Sequence, residues 1–232
     1  MRVGVLVFPG TWSHQDFAHV LQDVVGADWG YVWHKETTVA GYDGLILPGG
    51  FAHGDYLRCG AIARFSPIME AVVRFASDGG PVIGSCNGFQ ILCEAGLLPG
   101  ALLRNESLQY RCGWVHIRTE SVETPFTRSL APGHVLKMPI SHGEGRYFAE
   151  PDALSRLRDN GQIVFRYVTP DGRIAAEANP NGALDNIAGI CNEGRNVVGL
   201  MPHPERAAEA ILGSEDGRLL FDSMLTTATA AR

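Results

Sequence analysis

A cysteine set between glycines, Gly84-Ser85-Cys86-Asn87-Gly88, lies where the apolar run at residues 81–84 meets the helix-like segment FQILCEAG. A G-x-C-x-G between strand and helix has the logic of a nucleophile elbow. The tight turn pushes its central residue towards positive φ, and the flanking positions must lack a Cβ because neighbouring backbone crosses close by. Cys86 is therefore expected to project from the sheet edge over the N-terminus of the next helix, whose dipole favours a thiolate. A lone cysteine is more often a small buried hydrophobe. Here the strand before it, the helix after it and a base further along the chain argue for a nucleophile. Cys59, Cys93, Cys112 and Cys191 have no such setting and read as structural.

A thiol nucleophile needs a base and a group that orients the base. Pro202-His203-Pro204-Glu205 supplies both. Each proline biases the residue before it to extended geometry, and residues i and i+2 of an extended chain point the same way, so Glu205 can reach His203. The carboxylate would fix the imidazole tautomer and leave the other ring nitrogen for Cys86. A third element, Leu45-Ile46-Leu47-Pro48-Gly49-Gly50-Phe51, is a strand ending in bare backbone amides at the carboxyl edge of a sheet, where open α/β folds bind ligands. The Asn87 amide, with that of Gly50 or Phe51, is expected to hold negative charge on a carbonyl oxygen attacked by sulfur.

The elements that must position these groups alternate between apolar runs and amphipathic segments. That pattern predicts a doubly wound α/β fold with a mostly parallel sheet and helices on both faces. Residues 3–8 read as the first strand, and residues 15–25 as a helix with Phe17, Val20, Leu21, Val24 and Val25 at helical spacing. Tyr31 and Val32 begin a second strand and residues 45–47 form a third. Residues 67–76 read as a helix with Ser66 as N-cap and Pro67 at its first position. Residues 81–84 form the strand before Cys86, and Gly96 ends the helix after it. From 101 to 162 the texture changes to shorter strands and turns, which predicts a small antiparallel elaboration. Asn160-Gly161, Pro170-Asp171-Gly172 and Asn181-Gly182 read as turns. Residues 197–200 form another buried strand ahead of the histidine motif. An Ala- and Leu-rich helical region closes the chain, with residues 226–232 expected to fray. No repeat or linker interrupts the chain, so a single domain over 1–232 is expected.

Composition narrows the possibilities. The 232 residues carry 19 Lys plus Arg against 25 Asp plus Glu, a net charge of −6, so the basic footprint of a nucleic-acid binder is missing. Hydrophobic residues at 45% and charged residues at 19% place the chain among folded globular proteins. The N-terminal apolar run is far too short to span a membrane or serve as a secretory signal, which predicts a cytosolic protein with no membrane partner. An odd number of cysteines without CxxC spacing disfavours disulfides and zinc, so no metal is expected.

LPGGF, GSCNGFQ and PHPE, in that order, resemble the class I (triad) glutamine amidotransferases, and the resemblance covers the whole chain. It implies a flavodoxin-like sheet. The stretches GDYLR, RNES, SHGEGR, NPNG and NIAGI resemble more narrowly the branch of that family serving a purine-pathway synthetase. The resemblance implies a glutaminase half-reaction through a Cys86 thioester, with His203 and Glu205 completing the triad and the ammonia passed on. It implies glutamine as substrate, with Gln90, Asn105 and Ser107 helping to hold it. As partners it implies the large synthetase subunit of a complex, together with a small accessory subunit. ATP and Mg are expected on the synthetase and no cofactor on this chain, which has neither GxxxxGK[ST] nor GxGxxG. The SHGEGR stretch, with Glu144 and Arg146 of opposite sign, either faces the synthetase or is a solvated turn. The chain departs from the family at Ala52-His53, Cys59 and Trp12-Ser13, and His53 would add a protonatable group near the site. Other readings are a different amidotransferase on the same frame, or a non-catalytic module with Cys86 as a redox sensor.

Overall fold

The computed structural model describes residues 1–230. The first half of the chain builds β1 (Arg2–Val7), α1 (His14–His19), β2 (Asp28–Trp33), β3 (Gly44–Leu47), α2 (Ile68–Ser77), β4 (Val82–Ser85) and α3 (Asn87–Glu94). The second half adds β5 (Ala101–Leu103), β6 (Arg111–Thr119), β7 (Val135–His142), β8 (Arg146–Phe148) and α4 (Pro151–Asp159). It closes with β9 (Ile163–Val168), β10 (Ile187–Cys191), β11 (Val197–Leu200) and α5 (Arg218–Ala230).

Nine strands form one mixed sheet in the order β2-β1-β3-β4-β11-β10-β9-β6-β7. The first five are parallel and follow the flavodoxin-like order. Because the strand order reverses at β1, right-handed crossovers place α1 on one face and α2 and α3 on the other. Strands covered on both faces need no polar alternation, and β3, β4, β10 and β11 are buried at every position. The strands β10, β9, β6 and β7 continue the sheet antiparallel. The expected antiparallel elaboration is thus mostly an extension of the main sheet, and only β5 with β8 stands apart.

Several boundaries differ from the sequence reading. Strand β2 starts at Asp28 rather than near Tyr31; it is an edge strand with only Val32 buried, so its pattern carries little signal. The α1 helix gives way to a π-helical turn over Val20–Val24, where the Val25 amide reaches back to the Val20 carbonyl at 3.0 Å. Ser66 does not cap α2 with its side chain, because its Oγ lies 3.3 Å from His34 Nδ1 instead. The helix α4 falls inside the stretch read as strands and turns; it starts at a proline and buries only Leu157, so its apolar periodicity is faint. The expectation of fraying at 226–232 lies partly outside the described residues, and within them the backbone is helical through Ala230. Among the described residues no helix is long and apolar enough to cross a membrane.

Candidate active site

Cys86 stands between β4 and α3 with φ 49° and ψ −108°, a conformation that L-residues adopt only when the surroundings hold them there. The neighbours do so. A Cβ on Gly84 would come within 2.6 Å of the Gly88 carbonyl carbon, and one on Gly88 would overlap the Leu47 carbonyl oxygen. The Cys86 amide donates to the Leu200 carbonyl at 2.8 Å, tying the turn to β11. The thiol is 5% exposed and donates to the Ser141 carbonyl oxygen at 3.6 Å, at the end of β7.

His203 follows β11 with extended φ −102° and ψ 92°, held by its amide donating to the Pro139 carbonyl at 2.9 Å. Its Nδ1 lies 2.6 Å from Glu205 Oε1, and both residues are buried. The i, i+2 reach read from the two prolines is therefore present in the fold. A Cβ added to Gly49 would fall 2.7 Å from His203 Cε1 and 3.4 Å from Cys86 Cβ, so the ring and the nucleophile flank the same bare glycine. Burial opposes a charged imidazole, but the Glu205 carboxylate and the adjacent Cys86 sulfur outweigh it and raise the pKa of His203 above the ordinary histidine value. His203 Nε2 is buried and has no hydrogen-bond partner among the described residues. The arrangement suits proton transfer between a sulfur and a carboxylate-backed imidazole.

The amides at the end of β3 divide into used and free. Gly49 donates to Ser13 Oγ at 2.9 Å, and its carbonyl accepts from the Trp12 and Ser13 amides. The Phe51 amide donates to the Gly10 carbonyl at 2.9 Å, so it is not available to an oxyanion. This narrows the expected set to Gly50 and Asn87. Among the described residues neither of these amides donates to a protein acceptor. The Asn87 side chain binds the loop to α3 by accepting the Ala52 amide at 3.1 Å.

The residues expected to hold glutamine fall into three different settings. Gln90 is buried one turn into α3; its Nε2 donates to the Glu144 carbonyl at 2.6 Å and its Oε1 accepts from Asn87 Nδ2 at 2.8 Å. Asn105 is fully buried, and its side chain is spent inside the protein. Its Nδ2 donates to the Gln109 and His142 carbonyls, and its Oδ1 accepts from the Gly145 amide and His142 Nδ1. Its side chain therefore bonds the loop after β7, and a part in holding glutamine would run through that loop. Ser107 is exposed, and its Oγ accepts the Gln109 amide at 3.4 Å.

The sequence reading gave no chemical role to Ser141, His142 or Asn181, although SHGEGR and NPNG had marked their stretches as distinctive. Nor is SHGEGR a simply solvated turn, since it folds back onto the nucleophile and α3. The departures at residues 12, 53 and 59 also find places. His53, with φ 54°, packs its ring on His34 with centroids 5.4 Å apart. Exposed Trp12 carries the Arg206 guanidinium 4.8 Å above its ring. Cys59 is driven up in pKa by burial and by the nearby carboxylates of Asp55 and Glu144. All five cysteines are free. No group of three or more His, Cys, Asp or Glu among the described residues could hold a metal ion.

Residues 1–218 match the family described as CobB/CobQ-like glutamine amidotransferase domain. The chain is 55% identical over 224 residues to phosphoribosylformylglycinamidine synthase subunit PurQ of Salinibacter ruber, covering 97% of this chain and 95% of that protein. It is 56% identical over 225 residues to the protein of the same name from Moorella thermoacetica, with the same coverage. Among solved structures, a chain of PurLQS from Thermotoga maritima superposes with TM-score 0.87 at 41% identity, over 98% of both chains. A glutamine amidotransferase from the same organism shares the fold, with TM-score 0.62 at 15% identity over 97% of this chain and 96% of that one. With its motifs in family order and its relatives matched nearly end to end, the chain belongs to the glutamine amidotransferase family, in its PurQ branch.

Proposed function

We propose that this chain is the glutaminase subunit of a phosphoribosylformylglycinamidine synthase, working as one domain over 1–232 in the cytoplasm. The observation that carries the reading is the convergence of a strained, buried Cys86 with the Glu205-backed imidazole of His203 on either side of Gly49. In this reading His203 takes the thiol proton as the Cys86 sulfur attacks the side-chain amide carbon of glutamine. The amides of Gly50 and Asn87 hold the oxyanion. The carbon–nitrogen bond then breaks, His203 returns its proton to the departing nitrogen, and ammonia leaves behind a γ-glutamyl thioester. Water, deprotonated by His203, attacks that thioester, and glutamate leaves as the thiol is restored. Glu205 keeps its proton-free role throughout, orienting the ring and stabilising its cation.

Ammonia then passes to a large synthetase subunit, with a small accessory subunit completing the complex. That partner holds ATP and Mg and makes the amidine of formylglycinamide ribonucleotide. The division of labour is supported by the chain having no phosphate-binding loop motif of its own. Free thiols suit the reducing compartment in which a purine-pathway enzyme would work.

The test is covalent labelling. A diazo-ketone analogue of glutamine should alkylate Cys86 alone among the five cysteines, and excess glutamine should protect it. Labelling spread over several cysteines, or a Cys86 that reacts with peroxide but not with the analogue, would refute the reading in favour of a redox sensor.

A further inference from the structure

His142 closes β7 one residue after the carbonyl that accepts the Cys86 thiol, and nothing in the proposed triad uses it. Its imidazole is 3% exposed and is wrapped by the loop that follows it. Nδ1 lies 3.2 Å from Asn105 Oδ1, which also accepts the Gly145 amide at 3.0 Å. Nε2 lies 3.5 Å from Asn181 Nδ2, which donates to the Gly145 carbonyl at 2.8 Å. The orientations of both amides are fixed elsewhere. Asn105 Nδ2 donates to the Gln109 and His142 carbonyls, and Asn181 Oδ1 accepts the Ala183 amide at 3.0 Å. Only one form of the ring satisfies every partner: neutral, with the proton on Nδ1 and the lone pair on Nε2. Gly145 has no side chain because the ring occupies that space; a Cβ there would strike His142.

The ring therefore serves as the post about which residues 142–145 turn. Two carbonyls that meet the nucleophile's surroundings come from this stretch and its preceding residue: Ser141 to the Cys86 thiol, Glu144 to Gln90. We propose that His142 is a positioning residue for glutamine, holding through Asn105 and Asn181 the loop whose Ser141 and Glu144 carbonyls border the bound carboxamide. Once the thiol has given its proton to His203, the Ser141 carbonyl has lost its donor and faces the carbon under attack, where it accepts an N–H of the substrate carboxamide. The other N–H and the oxygen are left to solvent and to the Gly50 and Asn87 amides. This inference rests on the glutaminase reading above.

The test compares glutamine hydrolysis by the full chain assembled with its synthetase, in wild type and in His142→Leu, His142→Asn and Asn181→Ala. His142→Leu and Asn181→Ala should each raise KM for glutamine about tenfold, with kcat within about threefold, because they disorder the substrate's seat and leave the triad intact. Alkylation of Cys86 by 2-iodoethanol, which needs the activated thiol but has no carboxamide to seat, should keep its wild-type rate. His142→Asn retains an N–H near the Nδ1 position and should bring KM back to within about threefold of wild type. If His142→Leu fails to fold, Asn181→Ala and His142→Asn decide between the outcomes. An unchanged KM in folded Asn181→Ala, or alkylation falling in step with kcat/KM, overturns the proposal. A wild type that hydrolyses no glutamine would instead sink the glutaminase reading itself.

Discussion

Glu205 turns one carboxylate oxygen to His203 at 2.6 Å and keeps the other buried without a hydrogen-bond partner among the described residues. A group so placed works through the imidazole and not on the substrate. Glu205→Gln retains an oxygen that can accept from Nδ1–H, so the ring stays oriented and loses only the stabilisation of its cation. Steady-state glutamine hydrolysis should therefore show kcat falling about 10⁴-fold for Glu205→Gln and about 10⁶-fold for His203→Ala. Equal losses would mean that the carboxylate does more than orient. These residues were legible because each motif sets its own geometry: glycines on both sides dictate the elbow, and two prolines hold His203 extended. The setting of Asn105 was not legible, for the opposite reason. A polar residue in a distinctive stretch does not announce whether it faces a ligand or the interior, and four internal hydrogen bonds settle it only in three dimensions.

At the scale of the element, α3 can begin where it does only because Gly88 passes against the carbonyl of Leu47 on β3. Gly88→Ala puts a methyl group into that backbone, and urea unfolding should register a loss of about 2–4 kcal/mol. Gly113 on β6 has nothing within 4 Å of an added Cβ, so Gly113→Ala should change stability by no more than about 0.5 kcal/mol. The turn after β7 carries a pH signature as well. Burial, seconded by the charge of His203, lowers the His142 pKa to about 4 from an ordinary 6.5. Between those values the unfolded chain binds a proton that the folded protein refuses, so stability falls on acidification from pH 6.5 to 4, by about 3 kcal/mol. Urea midpoints measured across that range should decline less steeply in His142→Asn than in wild type, and parallel slopes would contradict a neutral buried ring. The helix α4 and the side chain of Ser66 show what sequence leaves out at this scale. The first has too few buried residues to create a period, and the second takes a partner 32 positions away in preference to its own helix.

The sheet as a whole explains how a strand at its far edge reaches the nucleophile. The strand β7 is five places from β4 in strand order, yet its carbonyls meet both the Cys86 thiol and the His203 amide. Those contacts require the antiparallel half to curl round towards the carboxyl ends of β4 and β11, as large twisted sheets do. The parallel half was legible from its continuous apolar runs. The return of the antiparallel half was not, because a pairing across 55 residues leaves no local periodicity. Sulfur, base, oxyanion amides and loop carbonyls all gather at that one edge, so the chemistry proposed for this chain ends with free ammonia, and making the new carbon–nitrogen bond falls to the synthetase. Cys86→Ala in the assembled complex should then abolish glutamine-dependent synthesis, by at least about 10³-fold, while synthesis supplied with ammonium salts stays within about twofold of wild type. A parallel loss of both would show that Cys86 also serves the acceptor reaction and that the two halves are not separable at the ammonia step.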